Sequence, residues 1–306
     1  MEVIEDNFSI KLAYKTYIAL GSFDGIHLGH ISLIKKTVEL SKLNNCKSMV
    51  LTFKNHPLTI INPQLAPKLL MTNDVKVSIL DNMDVDIVNL IEFNNEFMEY
   101  SPTEFITKLV NCYNVKGIIV GFNYRFGYKN LGDIHLIEKL SKKLNFELHI
   151  VKPVMFDDQI ISSTSIRTLI SHGSMETANI MLDKPYSIEG LVVKGKQIGR
   201  TIGFPTINLF LEPEILLPKT GVYFTLVLIK GIIYKGITSI GTNPTFNAEK
   251  ISIETYILDF DEDVYGEVVK LFFLKWIRAE VKFHSIEELI VQLKMDKAYA
   301  IREEIE

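Results

Sequence analysis

Cysteine and tryptophan are scarce in this 306-residue chain, which has two cysteines, Cys46 and Cys112, and one tryptophan. Two cysteines are too few for a disulfide framework or a cysteine-ligated metal cluster, and a reducing compartment is the simple inference. The sequence also has no uninterrupted apolar stretch long enough to span a bilayer. Glu2, Glu5 and Asp6 stand where a secretion signal would have a basic region followed by an apolar one. These features predict a cytoplasmic protein.

An excess of charge of one sign is missing too, since 33 lysines and arginines stand against 37 aspartates and glutamates, for a formal net charge of -4. This balance gives no general attraction to nucleic acid or anionic lipid, and neither is expected as a partner. The sequence contains neither a Walker A loop nor a GxGxxG fingerprint. A chain that is 47% hydrophobic can bury substantial cores, and its length predicts about two domains but leaves the oligomeric state open.

The first 184 residues alternate short apolar runs with longer helical stretches. The predicted helices include 102–113 and 133–144, and the predicted strands are 17–20, 49–53, 87–90, 117–120 and 147–150. This alternation is typical of an α/β domain with a doubly wound, Rossmann-like parallel sheet, whose ligands lie beyond the carboxyl ends of the strands. We therefore expect a binding site at that edge, in a domain spanning residues 1–184.

From residue 185 onward, β-like runs separated by glycine and proline turns replace the helices. These runs are 188–193, 222–229, 232–237, 253–258 and 268–273. They predict a closed or nearly closed antiparallel β-barrel in a second domain, residues 185–306. A C-terminal helix is expected after Ser285, which forms a capping-box pattern with Glu288.

The decapeptide GSFDGIHLGH, residues 21–30, places His27 and His30 where a predicted strand ends and a helix begins. A helix N-terminus offers N–H groups and partial positive charge to an anion, and two imidazoles beside it can donate hydrogen bonds. This arrangement predicts a phosphate-binding turn. The alternative is a pair of solvent-facing histidines after a glycine turn.

Two further clusters contain groups that suit nucleotide binding. In the loop 121–133, Asn123 and Arg125 alternate with aromatic residues, as in a pocket for a planar ring, although an aromatic-rich turn is the alternative. Ser163 and Thr164 open a predicted helix and Arg167 follows, which suits a polyphosphate but is also compatible with simple helix capping.

A third cluster, Asn55 and His56, closes the predicted strand 49–53 with polar groups at the same expected edge. The alternative for His56 is a structural role.

The second half carries a separate glycine-rich string, GRTIGFPTIN, at residues 199–208. Its glycines permit close approach of the backbone to a ligand. Thr206 offers a hydroxyl and Asn208 an amide oxygen to a hard cation or a phosphate. The alternative is a glycine-rich turn of the barrel.

The decapeptide resembles the signature of adenylyl-transferring nucleotidyltransferases. Together, in order, the four strings of the first half resemble the FMN adenylyltransferase module of prokaryotic bifunctional riboflavin kinase/FAD synthetases. The resemblance implies an FMN or adenine pocket containing Asn55, His56, Asn123 and Arg125, and an ATP site, with His27 and His30 catalytic, made of Gly21, Phe23, His27, His30, Ser163, Thr164 and Arg167. Many relatives have aspartate and phenylalanine in place of Asn123 and Tyr124, a difference that removes a charge here.

The string 199–208 resembles the riboflavin kinase module of the same family. The resemblance implies Mg²⁺ binding by Thr206 and Asn208, and nucleotide binding by Gly199, Arg200, Gly203, Thr206 and Asn208. Glu254 is the candidate base, because a kinase acting on an alcohol benefits from a carboxylate near the attacking hydroxyl. A carboxylate that simply faces water is the alternative. Relatives often have arginine where this chain has Asn243.

Taken together, the resemblance implies an enzyme that phosphorylates riboflavin to FMN and then transfers AMP from ATP to FMN, giving FAD and pyrophosphate. ATP, riboflavin and FMN would be its substrates and Mg²⁺ its cofactor. One alternative is an enzyme in which only one of the two sites is active. The other is a non-enzymatic flavin- or nucleotide-binding regulator.

Overall fold

The computed structural model describes residues 1–195, 197–212, 214–245 and 248–304; of these, the side chains of 198, 243–245 and 248–250 are outside the description. The chain divides into two compact units, Met1–Ser163 and Thr164–Glu306. No helix in the described ranges is long and apolar enough to cross a membrane.

The first unit contains a six-stranded parallel sheet in the order β1-β4-β3-β2-β5-β6. The strands are β1 (Glu2–Ile4), β2 (Thr16–Leu20), β3 (Lys47–Phe53), β4 (Ile87–Ile91), β5 (Val115–Gly121) and β6 (Glu147–Val151), and a separate hairpin joins β7 (Met155–Phe156) to β8 (Gln159–Ile160). Strand β3 pairs with one edge of β2, and β5 pairs with the opposite edge. The carboxyl ends of β2 and β5 therefore flank the position where the strand order reverses, the usual place for a ligand in such sheets.

Helices lie on both faces of this sheet. They are α1 (Leu28–Leu43), α2 (Leu58–Ile61), α3 (Asn73–Asp81), α4 (Asn95–Met98), α5 (Pro102–Tyr113) and α6 (Ile134–Leu144). Successive residues of β2 belong to two different hydrophobic cores. Ile18 packs with residues of α5 and α6, and Ala19 packs with residues of α1 and α3. Burial on both faces explains why β2 is a continuous apolar run rather than an alternating one.

The second unit contains a closed antiparallel barrel, whose described strands follow the order β10-β13-β12-β11-β14-β9. The strands are β9 (Tyr186–Val193), β10 (Thr206–Phe210), β11 (Gly221–Ile229), β12 (Ile232–Thr245), β13 (Ala248–Ile257) and β14 (Val268–Arg278). The helices are α7 (Ser163–His172), which starts at the last residue of the first unit, α8 (Met175–Leu182), α9 (Ile198–Thr201) and α10 (Ile286–Arg302). The predicted fold class, a doubly wound α/β domain followed by a β-barrel and a final helix, is confirmed.

Two details of the second unit differ from the simplest sequence expectation. The Ser285 hydroxyl accepts from the Glu288 amide as predicted, at 3.2 Å, but the Glu288 carboxylate accepts from the His284 amide at 2.9 Å, one residue earlier than in a standard capping box.

Helix α8 packs against the barrel, where the Asn179 side chain donates to the Phe273 carbonyl and accepts from the Tyr186 amide. The compact units thus divide at residues 163/164, and the functional boundary at 184/185 stays a prediction.

Candidate active sites

The first candidate site is built on the turn between β2 and α1. Phe23, Gly25 and Ile26 have φ angles of 47°, 87° and 39°. These values lie in the left-handed region, which residues other than glycine rarely adopt. Phe23 and Ile26 are fully buried, and their packing compensates for this unfavourable backbone. Gly21 is confined as well, since a Cβ there would lie 3.1 Å from Cε2 of Phe23. The sequence thus fixes an irregular turn at the carboxyl end of the central strand.

His27 and His30 lie side by side at the N-terminus of α1. His27 is the N-cap, its Nδ1 accepts from the His30 amide at 3.4 Å, and the two rings stack with centroids 3.8 Å apart. A Cβ at Gly29 would lie 3.1 Å from Cε1 of His27, so glycine leaves room for the stacked pair. Because Nδ1 of His27 is an acceptor, the proton of the neutral ring is on Nε2. The pair can present N–H groups beside the positive end of a helix dipole.

Asp24 anchors this turn from inside. Its carboxylate accepts from the Leu70 amide at 3.0 and 3.2 Å, and its carbonyl oxygen accepts from the Ser163 hydroxyl at 2.8 Å. The side chain is buried, so these bonds replace water. Asp24 is a residue that sequence reasoning missed. The only feature of the sequence that points to it is its position within the decapeptide 21–30.

The cluster after β3 is tied to the neighbouring strand. The Asn55 side chain donates to the Phe93 carbonyl and accepts from the Phe93 amide, both at 2.9 Å, as a backbone segment would. His56 accepts from the Leu58 amide through Nδ1 at 3.1 Å. The amide of Asn55 thus fastens the end of β3 to the segment after β4, while His56 stays partly exposed beside it.

The loop after β5 is an ordered turn with an exposed polar rim. Phe126 and Gly132 exchange two backbone hydrogen bonds, and a Cβ at Gly132 would lie 2.7 Å from the Phe126 ring. The Tyr124 ring stacks on Phe126 at 5.6 Å, and burial raises the pKa of the Tyr124 phenol. Asn123 and Arg125 are exposed, and Arg125 lies 3.7 Å from Asp133. Both follow β5 at the expected edge of the sheet.

The predicted hydroxyl cluster does open a helix, because α7 begins at Ser163. Thr164 and Arg167 follow in its first two turns and belong to the second compact unit.

Lys76 is a second residue that sequence reasoning missed. It lies on α3, is 5% exposed, and donates to the Ser22 carbonyl, the Thr52 hydroxyl and the Phe53 carbonyl. Burial lowers the pKa of Lys76 to about 8, against the opposing effect of Asp24. In the sequence it resembles any lysine on a helix surface.

The second candidate site is built on strands β10, β13 and β12. Asn208 and Ser239 both lie opposite Glu254 in the strand register, and Thr206 lies opposite Tyr256. Directly opposite residues have Cβ atoms about 5 Å apart on the same face of a sheet. The hydroxyl of Thr206, the amide of Asn208 and the carboxylate of Glu254 therefore share one face of the barrel wall. Thr255, which follows Glu254, points to the opposite face and is fully buried.

The glycine-rich string folds closely onto this polar face. A Cβ at Gly199 would overlap the Phe204 carbonyl oxygen and lie 3.6 Å from the Thr206 hydroxyl. A Cβ at Gly195 would overlap the Asn208 side chain, with Oδ1 2.8 Å away. Gly203 has a φ of 82°, and Arg200 is exposed on α9. Of the candidate kinase residues, Gly199 thus lies close to Thr206, and Asn208 lies opposite Glu254. The Asn243 side chain lies outside the described residues.

Imidazoles at a helix N-terminus on a parallel sheet, and a hydroxyl, an amide and a carboxylate on a glycine-covered barrel face, are groups suited to a transferase that acts on phosphates. Residues 9–165 match the FAD synthetase family, and residues 182–303 match the riboflavin kinase family. A bifunctional riboflavin kinase/FMN adenylyltransferase of Bacillus subtilis (strain 168) is 36% identical over 293 residues, 94% of this chain and 92% of that protein. The corresponding protein of Escherichia coli (strain K12) is 33% identical over 287 residues, 92% of this chain and 91% of its own length.

The chain belongs to the bifunctional riboflavin kinase/FMN adenylyltransferase family, and its two activities together make FAD from riboflavin. A solved structure described as a macrolide-efflux protein from Streptococcus pneumoniae is similar over 99% of both chains, with a TM-score of 0.89 and 32% identity. That likeness is one of fold and sequence.

Proposed function

We propose that the two activities use two separate sets of residues, one around His27 and His30 and the other around Thr206, Asn208 and Glu254. The observation that supports this assignment is that the two imidazoles lie in one compact unit, whereas Thr206, Asn208 and Glu254 lie in the other. The imidazoles stack at the start of α1, and Asn208 and Glu254 lie opposite each other in the barrel.

In the first site, a phosphate oxygen of FMN attacks the α-phosphorus of ATP. The bond to the bridging oxygen of pyrophosphate breaks, and pyrophosphate leaves with the bonding electrons. His27 and His30 donate hydrogen bonds to the phosphates as charge accumulates, and the turn containing Gly21 and Phe23 lies against the nucleotide. Ser163, Thr164 and Arg167 are assigned to the triphosphate. This transfer needs positioning rather than a covalent intermediate.

His56, Asn123 and Arg125 are assigned to the flavin or adenine pocket, because all three follow strands that end at the same edge. Asn55 is assigned to the same pocket as a positioning residue, since its amide is bonded to the Phe93 backbone. Asn123 is a neutral hydrogen-bonding group there, and the stacked Tyr124 ring supports the loop from below.

In the second site, the Glu254 carboxylate accepts the proton of the ribityl 5′-hydroxyl, whose oxygen attacks the γ-phosphorus of ATP. The bond between the γ-phosphorus and the β,γ-bridging oxygen breaks, and ADP leaves. Gly199, Arg200 and Gly203 would surround the nucleotide, because this loop packs on the polar face that carries Thr206.

Mg²⁺ fits the donor set of the second site. Thr206 and Asn208 offer two neutral oxygens on one face, and Mg²⁺ characteristically combines a few protein oxygens with water and substrate phosphates. When bound, the ion neutralises charge on the transferring phosphoryl group.

We also propose that the protein is cytoplasmic and that its two functional domains divide at residues 184/185.

A chromatographic time course of riboflavin, FMN and FAD tests the assignment of residues. The wild-type protein with riboflavin, ATP and Mg²⁺ is compared with His30→Ala and Glu254→Gln. We expect His30→Ala to form FMN at the wild-type rate but little FAD. Glu254→Gln should leave riboflavin unchanged yet convert added FMN to FAD. Equal loss of both activities in either folded variant would contradict the separation of the sites.

A further inference from the structure

Lys76 lies beneath the turn that carries the two histidines. Its Nζ is 3.3 Å from the Ser22 carbonyl oxygen, 3.4 Å from the Thr52 hydroxyl and 3.4 Å from the Phe53 carbonyl oxygen. Ser22 belongs to the turn after β2, whereas Thr52 and Phe53 end β3. One buried side chain thus links the carboxyl ends of two strands that border the adenylyltransferase site.

The surroundings of Nζ fit an ammonium group. The Thr52 hydroxyl gives its own proton to the Ser22 carbonyl at 2.7 Å, so its oxygen accepts from Lys76. Three N–H groups therefore meet three neutral acceptors. A neutral amine has only two N–H groups, and its lone pair would face an oxygen. Burial opposes the charge, however, and lowers the pKa of Lys76 to about 8.

Burying a charged group between two strands costs free energy of desolvation, whereas a neutral apolar side chain can pack at such a position without that cost. We propose that Lys76 is a positioning residue for FMN adenylylation, whose ammonium group holds the turn bearing His27 and His30 against the end of β3. The inference rests on the proposed adenylyltransferase site. Small displacements of donors lower the rate of transfer more than they weaken substrate binding.

Lys76→Met tests this role, because it keeps most of the side-chain length and removes the donors. We expect kcat for FMN adenylylation to fall at least tenfold, on the order of the loss from a misplaced transition-state donor. The KM for ATP should stay within about threefold, since ground-state contacts remain. Riboflavin phosphorylation in the same preparation should stay within about twofold, because its residues lie in the other unit.

The pH profile separates positioning from simple packing. Around the Lys76 ammonium, the turn after β2 contributes the Asp24 carboxylate and the Ser22 carbonyl oxygen, and β3 contributes the neutral oxygens of Thr52 and Phe53. The two titratable imidazoles of the same turn are those of His27 and His30. Between pH 7 and 9.5, we expect the adenylylation rate of the wild-type protein to fall as the ammonium loses its proton. The residual rate of Lys76→Met should not show this fall. The residual rate of His30→Ala, measured over the same range, should still show it.

Two further variants provide controls. Lys184→Met removes a half-buried lysine in the second unit, whose pKa is also lowered by burial to about 8, and it should leave adenylylation unchanged. Thr52→Val keeps the ammonium but removes the hydroxyl that connects it to Ser22, and should lower adenylylation without affecting the kinase. Thr52→Val decides the question if Lys76→Met does not fold.

Three results would each overturn the inference: unchanged adenylylation in folded Lys76→Met, or in Thr52→Val where Lys76→Met does not fold; equal loss of both activities in a folded variant; or a pH profile unaltered by Lys76→Met. If His30→Ala also leaves adenylylation intact, the proposed site itself is wrong. If His30→Ala strongly lowers adenylylation and Lys76→Met does not change it, only the role of Lys76 fails.

Discussion

The phenol of Tyr17 donates a hydrogen bond to Glu147, with the two oxygens 2.8 Å apart, although the two residues lie on strands separated by β5. The ring reaches Glu147 by passing over Gly117, the residue of β5 paired with both. Burial and the nearby carboxylate raise the pKa of the Tyr17 phenol above its usual value of 10.0. A row of three residues thus joins three strands below the binding edge.

Gly117→Ala should destabilise the first unit. The added Cβ would lie 2.5 Å from Cδ1 of the fully buried Tyr17 ring, which cannot move without breaking its bond to Glu147. Overpacking of this kind costs about 1–3 kcal/mol, measured as a shift in the urea midpoint. Gly121→Ala on the same strand is the matched control, because its nearest neighbour would be 3.8 Å away. Equal stability of the two variants would refute this account of Gly117.

Gly199→Ala should impair the kinase selectively. Its Cβ would overlap a backbone oxygen, that of Phe204, so the loop must open and move away from Thr206. We expect riboflavin phosphorylation to fall at least tenfold, comparable to the effect of misplacing a binding group by about 1 Å. FMN adenylylation measured in the same sample should be unchanged.

Gly231→Asn is the control for Gly199→Ala. Gly231 has a φ of 84°, a backbone region that asparagine tolerates. A Cβ added at Gly231 would meet no atom of the described residues within 4 Å. Kinase activity should therefore persist in Gly231→Asn. Full kinase activity in Gly199→Ala would show that the close approach of the loop is not required.

Much of this organisation could be predicted from the sequence, because it depends on local patterns. The turn at residues 21–30, the helix beginning at Ser163 and the bounds of α5 follow from glycine placement, hydroxyl caps and periodicity. Strand β10 was not separately predicted, since its residues lie inside the glycine-rich string.

The contacts that sequence reasoning missed join residues far apart in the chain. Lys76 is hydrophilic and lies on a helix, yet it turns inward to oxygens of β3 and of the turn after β2. Asn55 follows a strand at the binding edge, but its partner is the backbone of Phe93. Only the alignment of neighbouring strands shows either relationship, and a single sequence does not specify it.

Asp296→Ala should destabilise the attachment of α10 to the barrel. Asp296 is 2% exposed and accepts two hydrogen bonds from the Arg278 guanidinium, at 3.0 and 2.6 Å. Removing one partner of a buried pair leaves the other charge uncompensated, at a cost of about 3 kcal/mol. Glu189→Ala, which breaks the more exposed pair with Lys270, should cost less than about 1 kcal/mol. Urea unfolding of both variants compares the two pairs, and similar losses would argue against a special role for the buried one.

Stability should rise with pH between about 8 and 10 and then decline. Burial lowers the pKa of Lys76 and Lys184 to about 8, from 10.5 in the unfolded chain, so the unfolded state holds more protons in this window. Each lysine can then add up to about 1.4 kcal/mol per pH unit to the free energy of unfolding. Above pH 10 the sign reverses, because burial raises the pKa of Tyr17 and Tyr113 and the folded state keeps their protons longer. Urea midpoints at pH 7, 8.5, 9.5 and 10.5 measure this curve. Lys76→Met and Lys184→Met should each flatten its rising part, and an unchanged slope in both variants would show that the charge of neither lysine opposes folding.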